Sequence, residues 1–318
     1  MEPLLKYPGG KSKSVPLLKE AFEIACRHRR LTDRPIDERF FGGGALSFAL
    51  ESQEVQANDI CLPVVNFYRQ VKKGLDLSII KMQYDKSLYL NHRERFNSIL
   101  KKNEIEGPKS AEAAALLFFL SRTCFNGLIR FSGDEGMGFN VGFGSYKQVN
   151  YQRDFEPYRN LMKRWNFSSQ DFALGPVDPD AAIFMDPPYD SVSEDKEDPE
   201  MQLSLEIGGL PCQDEAKTGK GFVKYAGNNF GWSDQERVVQ FATSFPNPVV
   251  ITNKATPRIV KLYEDYGLEV HFYDARRSIA CNGDRGPSRD VIAIKKEHVF
   301  SLKPKSKQRQ PERAFSNP

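Results

Sequence analysis

The chain has 318 residues, long enough for one large α/β domain with a smaller insert or for two domains, and its 40% hydrophobic and 27% charged residues suit a packed core and are ordinary for a soluble protein. Lys and Arg number 45 against 42 acids, so the net charge of +3 neither demands nor excludes nucleic acid, because a basic groove can be offset by an acidic face. No run of about 20 apolar residues would span a membrane, and the first residues lack the apolar core of a signal peptide, so a reducing cytoplasm is the expected compartment.

In chain order, residues 6–11 (Lys-Tyr-Pro-Gly-Gly-Lys) are a glycine turn between two lysines. Residues 14–27 carry Val15, Leu18, Phe22 and Ala25 at helical spacing. Residues 39–44 read as a strand end entering a glycine turn, 45–50 as a helix, 55–59 as a second strand ending in Asn58-Asp59, and 62–72 as a further helix. That is the opening of a doubly wound nucleotide-binding sheet. Residues 84–102 predict an exposed helix, and 110–122 a helix capped by Ser110. Between 125 and 151, Gly, Asn, Phe and Tyr alternate as in loops and short hairpins, the composition of a recognition insert.

Residues 181–185 form an apolar strand stopped by Asp186-Pro187-Pro188-Tyr189. Residues 190–220 are acidic, then glycine-rich, and predict a mobile loop. A helix follows over 232–243, with Ser233 as N-cap and Glu236 at N3. Next come a strand over 248–252, a helix over 257–266 stopped by Gly267, and paired late strands over 268–273 and 291–295. From Lys303 onward the tail is basic and polar, with disorder expected. Neither the five cysteines nor the four histidines show ligand spacing, so no metal is expected.

Asp186-Pro187-Pro188-Tyr189 is the sharpest chemical signal. It lies at the carboxyl end of a buried strand, where open α/β sheets bind ligands. Two prolines stiffen the turn, so a carboxylate and a main-chain carbonyl can aim at one amino group. An aromatic amine needs this, because its lone pair is delocalised into the ring and two acceptors favour a more tetrahedral nitrogen. Tyr189 can stack on a base drawn from a duplex. A plain strand-to-loop turn with an exposed Asp would carry the same four letters.

The run Phe40-Phe41-Gly42-Gly43-Gly44-Ala45 is neither G-x-G-x-x-G nor a Walker loop. It suits a cofactor whose polar end is an amino acid, or a purely structural turn. Asp59 stands where doubly wound folds hold ribose hydroxyls, or caps a helix. The 6–11 turn reads equally as an ordinary basic terminus. Arg276-Arg277 either grips phosphates or solvates a hairpin end.

KYPGGK, FFGGGA, AND, SRTCFNGLIRFS followed by FNVGFGSYK, DPPY, ITNKATP and ARRSIACNG occur in this order. Together they resemble the DNA adenine methylase family, the D12 or alpha-group N6-adenine methyltransferases, over most of residues 5–294. The resemblance implies a Rossmann-like α/β sheet that uses S-adenosylmethionine, with a small helical and hairpin-containing DNA-recognition insert. It implies a catalytic domain over 1–72 and 166–300, the insert over 73–165, and a tail over 301–318. Tyr7, Lys11, Phe41, Gly42, Gly43, Gly44, Asp59 and Asp186 would hold the cofactor. Asp186, Pro187, Pro188 and Tyr189 would hold the flipped adenine. Lys6, Phe125, Asn126 and Arg130 would meet double-stranded DNA.

GATC, a frequent target in the family, is compatible with Lys6, Asn126 and Arg130. A cognate restriction endonuclease is a further expected partner. RNA adenine, cytosine N4 and a protein amide remain alternative acceptors, and a non-catalytic DNA-binding relative is the alternative from another class.

Overall fold

A computed structural model describes residues 1–7, 9–27, 29–101, 109–132, 138–149, 151–152, 154–190, 230–276 and 287–298. The predicted 190–220 loop, apart from Asp190, lies outside the described residues, as do the tail and Arg277.

Seven strands form one sheet in the order β5-β2-β1-β6-β7-β9-β8. They are β1 (Ile36–Glu38), β2 (Glu54–Asn58), β5 (Arg164–Ser168), β6 (Ala182–Met185), β7 (Val249–Lys254), β8 (Glu269–Arg276) and β9 (Pro287–Lys295). The first five are mutually parallel; β9 runs antiparallel between β7 and β8. The late strands pair as the sequence predicts, with Glu269 opposite Ile294. This is a mixed α/β fold with a mostly parallel sheet, consistent with the Rossmann-like expectation.

Strand burial explains the layering. All four residues of β6 are buried, the pattern of a central parallel strand covered on both faces. Alternate residues face opposite layers. Phe184, Val250, Ile292 and Ile294 enter one core with α1 (Val15–Ala25), α2 (Ala45–Leu50), α3 (Leu62–Lys73), α4 (Lys86–Lys101) and α5 (Ala111–Thr123). Ile183, Met185, Val249, Ile251 and Val291 enter the other, with α7 (Trp232–Thr243) and α8 (Pro257–Asp265). A short helix α6 (Glu156–Leu161) leads into β5. The β3–β4 hairpin (Phe131–Ser132 with Gly138–Phe139) falls where hairpin composition was read.

Three expectations need correction. Helix α4 is not simply exposed, because Tyr89, Phe96, Ile99 and Leu100 are buried along one stripe. Helix α7 starts earlier than its predicted cap: Gly231 is the N-cap, and its N–H donates to Asp234 Oδ2 at 3.0 Å. Ser233 lies inside the helix, and Glu236 instead accepts from Trp232 Nε1 at 3.0 Å. Edge strand β5 was not anticipated: Trp165 and Phe167 do alternate with polar residues, but the run is five residues long and Trp165 alone is fully buried.

Candidate active site

The sheet register builds the site. Strand β1 lies between β2 and β6, so the chain reverses its direction of winding there, the point where open α/β sheets form a ligand crevice. Opposite Glu38 stand Ala57 and Phe184. The glycine turn after β1 and the Asp-Pro-Pro-Tyr turn after β6 therefore leave the sheet side by side.

Asp59 shapes the first turn. Its Oδ2 accepts from Gly42 N at 2.7 Å, and its Oδ1 accepts from Cys61 N at 2.8 Å. Burial pushes its carboxyl upward, against the pull of those two N–H donors. The Gly44 N–H donates to Phe41 O at 2.7 Å. The N–H groups of Gly42 and Gly44 are thus spent internally, which removes two donors that an anion nest would use. The Phe41 ring points inward, 2% exposed, against Tyr68, Phe167, Trp165 and Phe48. Phe41 thus contributes to the turn through its main chain. The Tyr7 ring lies over the turn, such that a Cβ on Gly42 would come within 3.0 Å of it.

Asp186 anchors the second turn. Thr252 Oγ1 donates to its Oδ1 at 2.5 Å, because β7 sits beside β6 with Ile251 opposite Met185. Lys11 Nζ stands 2.8 Å from the same carboxylate and 4.7 Å from the centre of the Tyr189 ring. Burial, then the Asp186 charge, pushes the Tyr189 phenol well above its ordinary range, so the ring stays neutral.

The N-terminal segment ties these parts together. Lys6 packs on Gly127 and places its ammonium 5.1 Å from the Tyr146 ring of the insert. Tyr7 covers the glycine turn and Lys11 reaches Asp186. Three neighbouring expectations thus meet along residues 6–11. In the insert, Phe125 is 54% exposed and Asn126 is left-handed with φ 55°. Arg130 is exposed, with its Nε donating to Asn140 Oδ1 at 2.9 Å. Arg276 ends β8, far along the sheet from the glycine turn.

Glu38 was missed by sequence reasoning, although an acid ending a buried strand just before a glycine turn was a usable signal. It is 2% exposed and accepts from Ser47 Oγ at 2.5 Å. Burial, reinforced by the charges of Asp186 and Asp59, pushes its carboxyl up to about 8. A carboxyl raised from its ordinary 4.5 contributes stability that is fully present below that value and is lost as pH rises through about 8. Stability should therefore fall between about pH 5 and pH 8, by up to about 1.4 kcal/mol per pH unit. Thermal melts of Glu38→Gln across that range should show the slope reduced; a slope equal to that of the unmodified protein would show that Glu38 does not titrate there.

Glu38, Asp59 and Asp186 lie close enough for their charges to act on one another, with Lys11 paired to Asp186. With the Gly42 and Gly44 N–H groups engaged, the turn offers few donors to a phosphate ester.

The family described as D12 class N6 adenine-specific DNA methyltransferase matches residues 7–197. A DNA N-6-adenine-methyltransferase of Escherichia phage P1 is 30% identical over 298 residues, covering 92% of this chain. The chain spans only 35% of that phage protein's length. The type II methyltransferase M1.LlaDCHI of Lactococcus lactis subsp. cremoris is 26% identical, covering 92% of this chain and 93% of its own. A DNA adenine methylase of Vibrio cholerae is 25% identical, covering 93% and 97% respectively.

Proposed function

Since the chain belongs to the D12 class N6 adenine-specific DNA methyltransferase family, whose reaction is methyl transfer to adenine in DNA, we propose that its donor is S-adenosylmethionine and its acceptor an adenine turned out of duplex DNA. One observation carries this reading: the glycine turn held by Asp59 and the turn headed by Asp186 leave adjacent parallel strands at the point where the sheet reverses.

Tyr7, Lys11, Glu38, Asp59 and the 42–44 turn would hold the donor, which supplies an electrophilic methyl group when bound. Asp186 and the Pro187 carbonyl accept the two amino hydrogens of adenine. That draws the nitrogen lone pair out of ring conjugation so that it can displace the donor's sulfur from the methyl carbon, the C–S electron pair leaving on sulfur, and Asp186 would take up the proton shed by the amino group. Tyr189 stacks on the base. Lys11 now occupies both contacts that the base requires, the carboxylate and the ring face, so it moves aside as the base enters. Catalysis is then positioning and electrostatics without a covalent enzyme intermediate.

Lys6, Phe125, Asn126 and Arg130, within an insert over 73–165, would read the target, with Arg130 suited to paired contact with guanine and Phe125 to filling the gap in the stack. GATC is the proposed target, and a restriction endonuclease cutting the same site is the proposed partner. Incubation of duplex DNA with labelled donor, followed by sequencing of modified bases, should yield N6-methyladenine within one recurring site. Label on cytosine N4, or on RNA in preference to DNA, would overturn the acceptor assignment; a recurring site other than GATC would overturn only the target.

A further inference from the structure

The Asp-Pro-Pro-Tyr turn is fastened at three places. Thr252 and Lys11 hold Asp186 at the front. Gln235 Nε2 donates to Pro188 O at 2.8 Å in the middle, and its Oε1 accepts from Asn253 Nδ2 at 2.9 Å. Behind Tyr189, Asp190 is 7% exposed and crowded with donors. Arg258 sends Nε to Oδ2 at 2.8 Å and Nη2 to Oδ1 at 2.5 Å. Thr256 Oγ1 donates to Oδ2 at 2.8 Å, and the Asp190 N–H donates to Asn253 Oδ1 at 3.2 Å. The Arg258 guanidinium also lies 4.7 Å from the centre of a Trp232 ring.

Surface ion pairs contribute little. This one is two-pronged onto a buried Asp190, with the Arg258 side chain 22% exposed, so each partner depends on the other. Its place in the chain decides what it does. Pro187 and Pro188 restrict rotation before Tyr189, so the remaining backbone freedom of Tyr189 lies towards Asp190.

We propose that Arg258 and Asp190 are positioning residues that hold the Tyr189 ring in the orientation needed to capture the target base. The proposal rests on the reading of Tyr189 as the base-stacking ring. The hydrogen bonds described for the pair go to Thr256, Asn253 and each other, away from Asp186, Lys11 and Asp59. The pair acts on the base and leaves donor binding alone.

The test uses the full chain, the recurring DNA site mapped as above, and 2-aminopurine in place of the target adenine to report flipping. In Arg258→Met and Asp190→Asn, the flipping signal and kcat should fall about 10- to 100-fold, as for a catalytic group displaced by about 1 Å. Donor affinity, read by calorimetry, should stay within about twofold, because Asp186, Lys11 and Asp59 are untouched. Arg258→Lys should fall between, since it keeps the charge and loses the fork.

Normal flipping and kcat in Asp190→Asn, which preserves shape, would overturn the proposal even if Arg258→Met failed to fold. Loss of donor affinity in parallel with activity would overturn it too, as the mark of general unfolding. An unmodified protein that methylates its site without a flipping signal would instead overturn the base-stacking reading of Tyr189.

Discussion

Asp186→Ala is expected to lower methyl transfer by at least about 10³-fold while the fold survives. The carboxylate is the one side-chain acceptor of the turn that faces Lys11, and it is held rigidly by Thr252. Without it, the adenine nitrogen keeps its lone pair in the ring, and the proton released on methylation loses its acceptor. The substitution also leaves the Lys11 ammonium, whose side chain is 11% exposed, without its counter-charge. That costs stability, but β6 keeps its four buried residues and its pairing on both sides. Labelled-donor turnover and a thermal melt measured together separate the two effects. Activity within tenfold of the unmodified protein, at a normal melting temperature, would remove Asp186 from the reaction.

Gly44→Val should abolish donor binding by a different route. Gly44 sits at φ 70° and ψ 32°, a left-handed conformation at the cap of α2. A Cβ there would lie 2.3 Å from Phe41 Cζ and 2.7 Å from Cε2. The Phe41 ring has nowhere to go, because Tyr68, Phe167 and Trp165 enclose it with centroids 5.2, 5.7 and 6.2 Å away. Left-handed strain and overpacking together should destabilise the protein by about 2–5 kcal/mol. The turn must deform to relieve the clash, carrying the Gly42 contact to Asp59 with it. Denaturant unfolding and donor calorimetry would read both losses. Gly142→Ala is the matched control, because nothing lies within 4 Å of the added carbon. Equal behaviour of the two variants would mean that the turn is tolerant and that the packing argument fails.

Both predictions concern residues visible in the sequence, while the contacts that give them meaning were not. The missed residues make the same point. Thr252 and Asn253 belong to a recognised segment, yet nothing local says that one grips Asp186 and the other Asp190. Gln235 gave no signal at all. It is a buried glutamine on a helix whose cap was misread, and its partners lie 47 and 18 positions away.

The amino-acid sequence alone determined the short-range features: stiff proline turns, glycines that permit left-handed backbone, helices with one apolar stripe, and strands buried on both faces. Each follows from dihedral limits and side-chain character over a few neighbouring residues. Only the tertiary structure decided that Lys11 meets Asp186 across 175 positions, that Asp59 closes on Gly42, and that Arg258 braces the residue after Tyr189. Those meetings depend on strand order and register. Packing of the two cores across the whole sheet sets both, and no local stretch of chain encodes them.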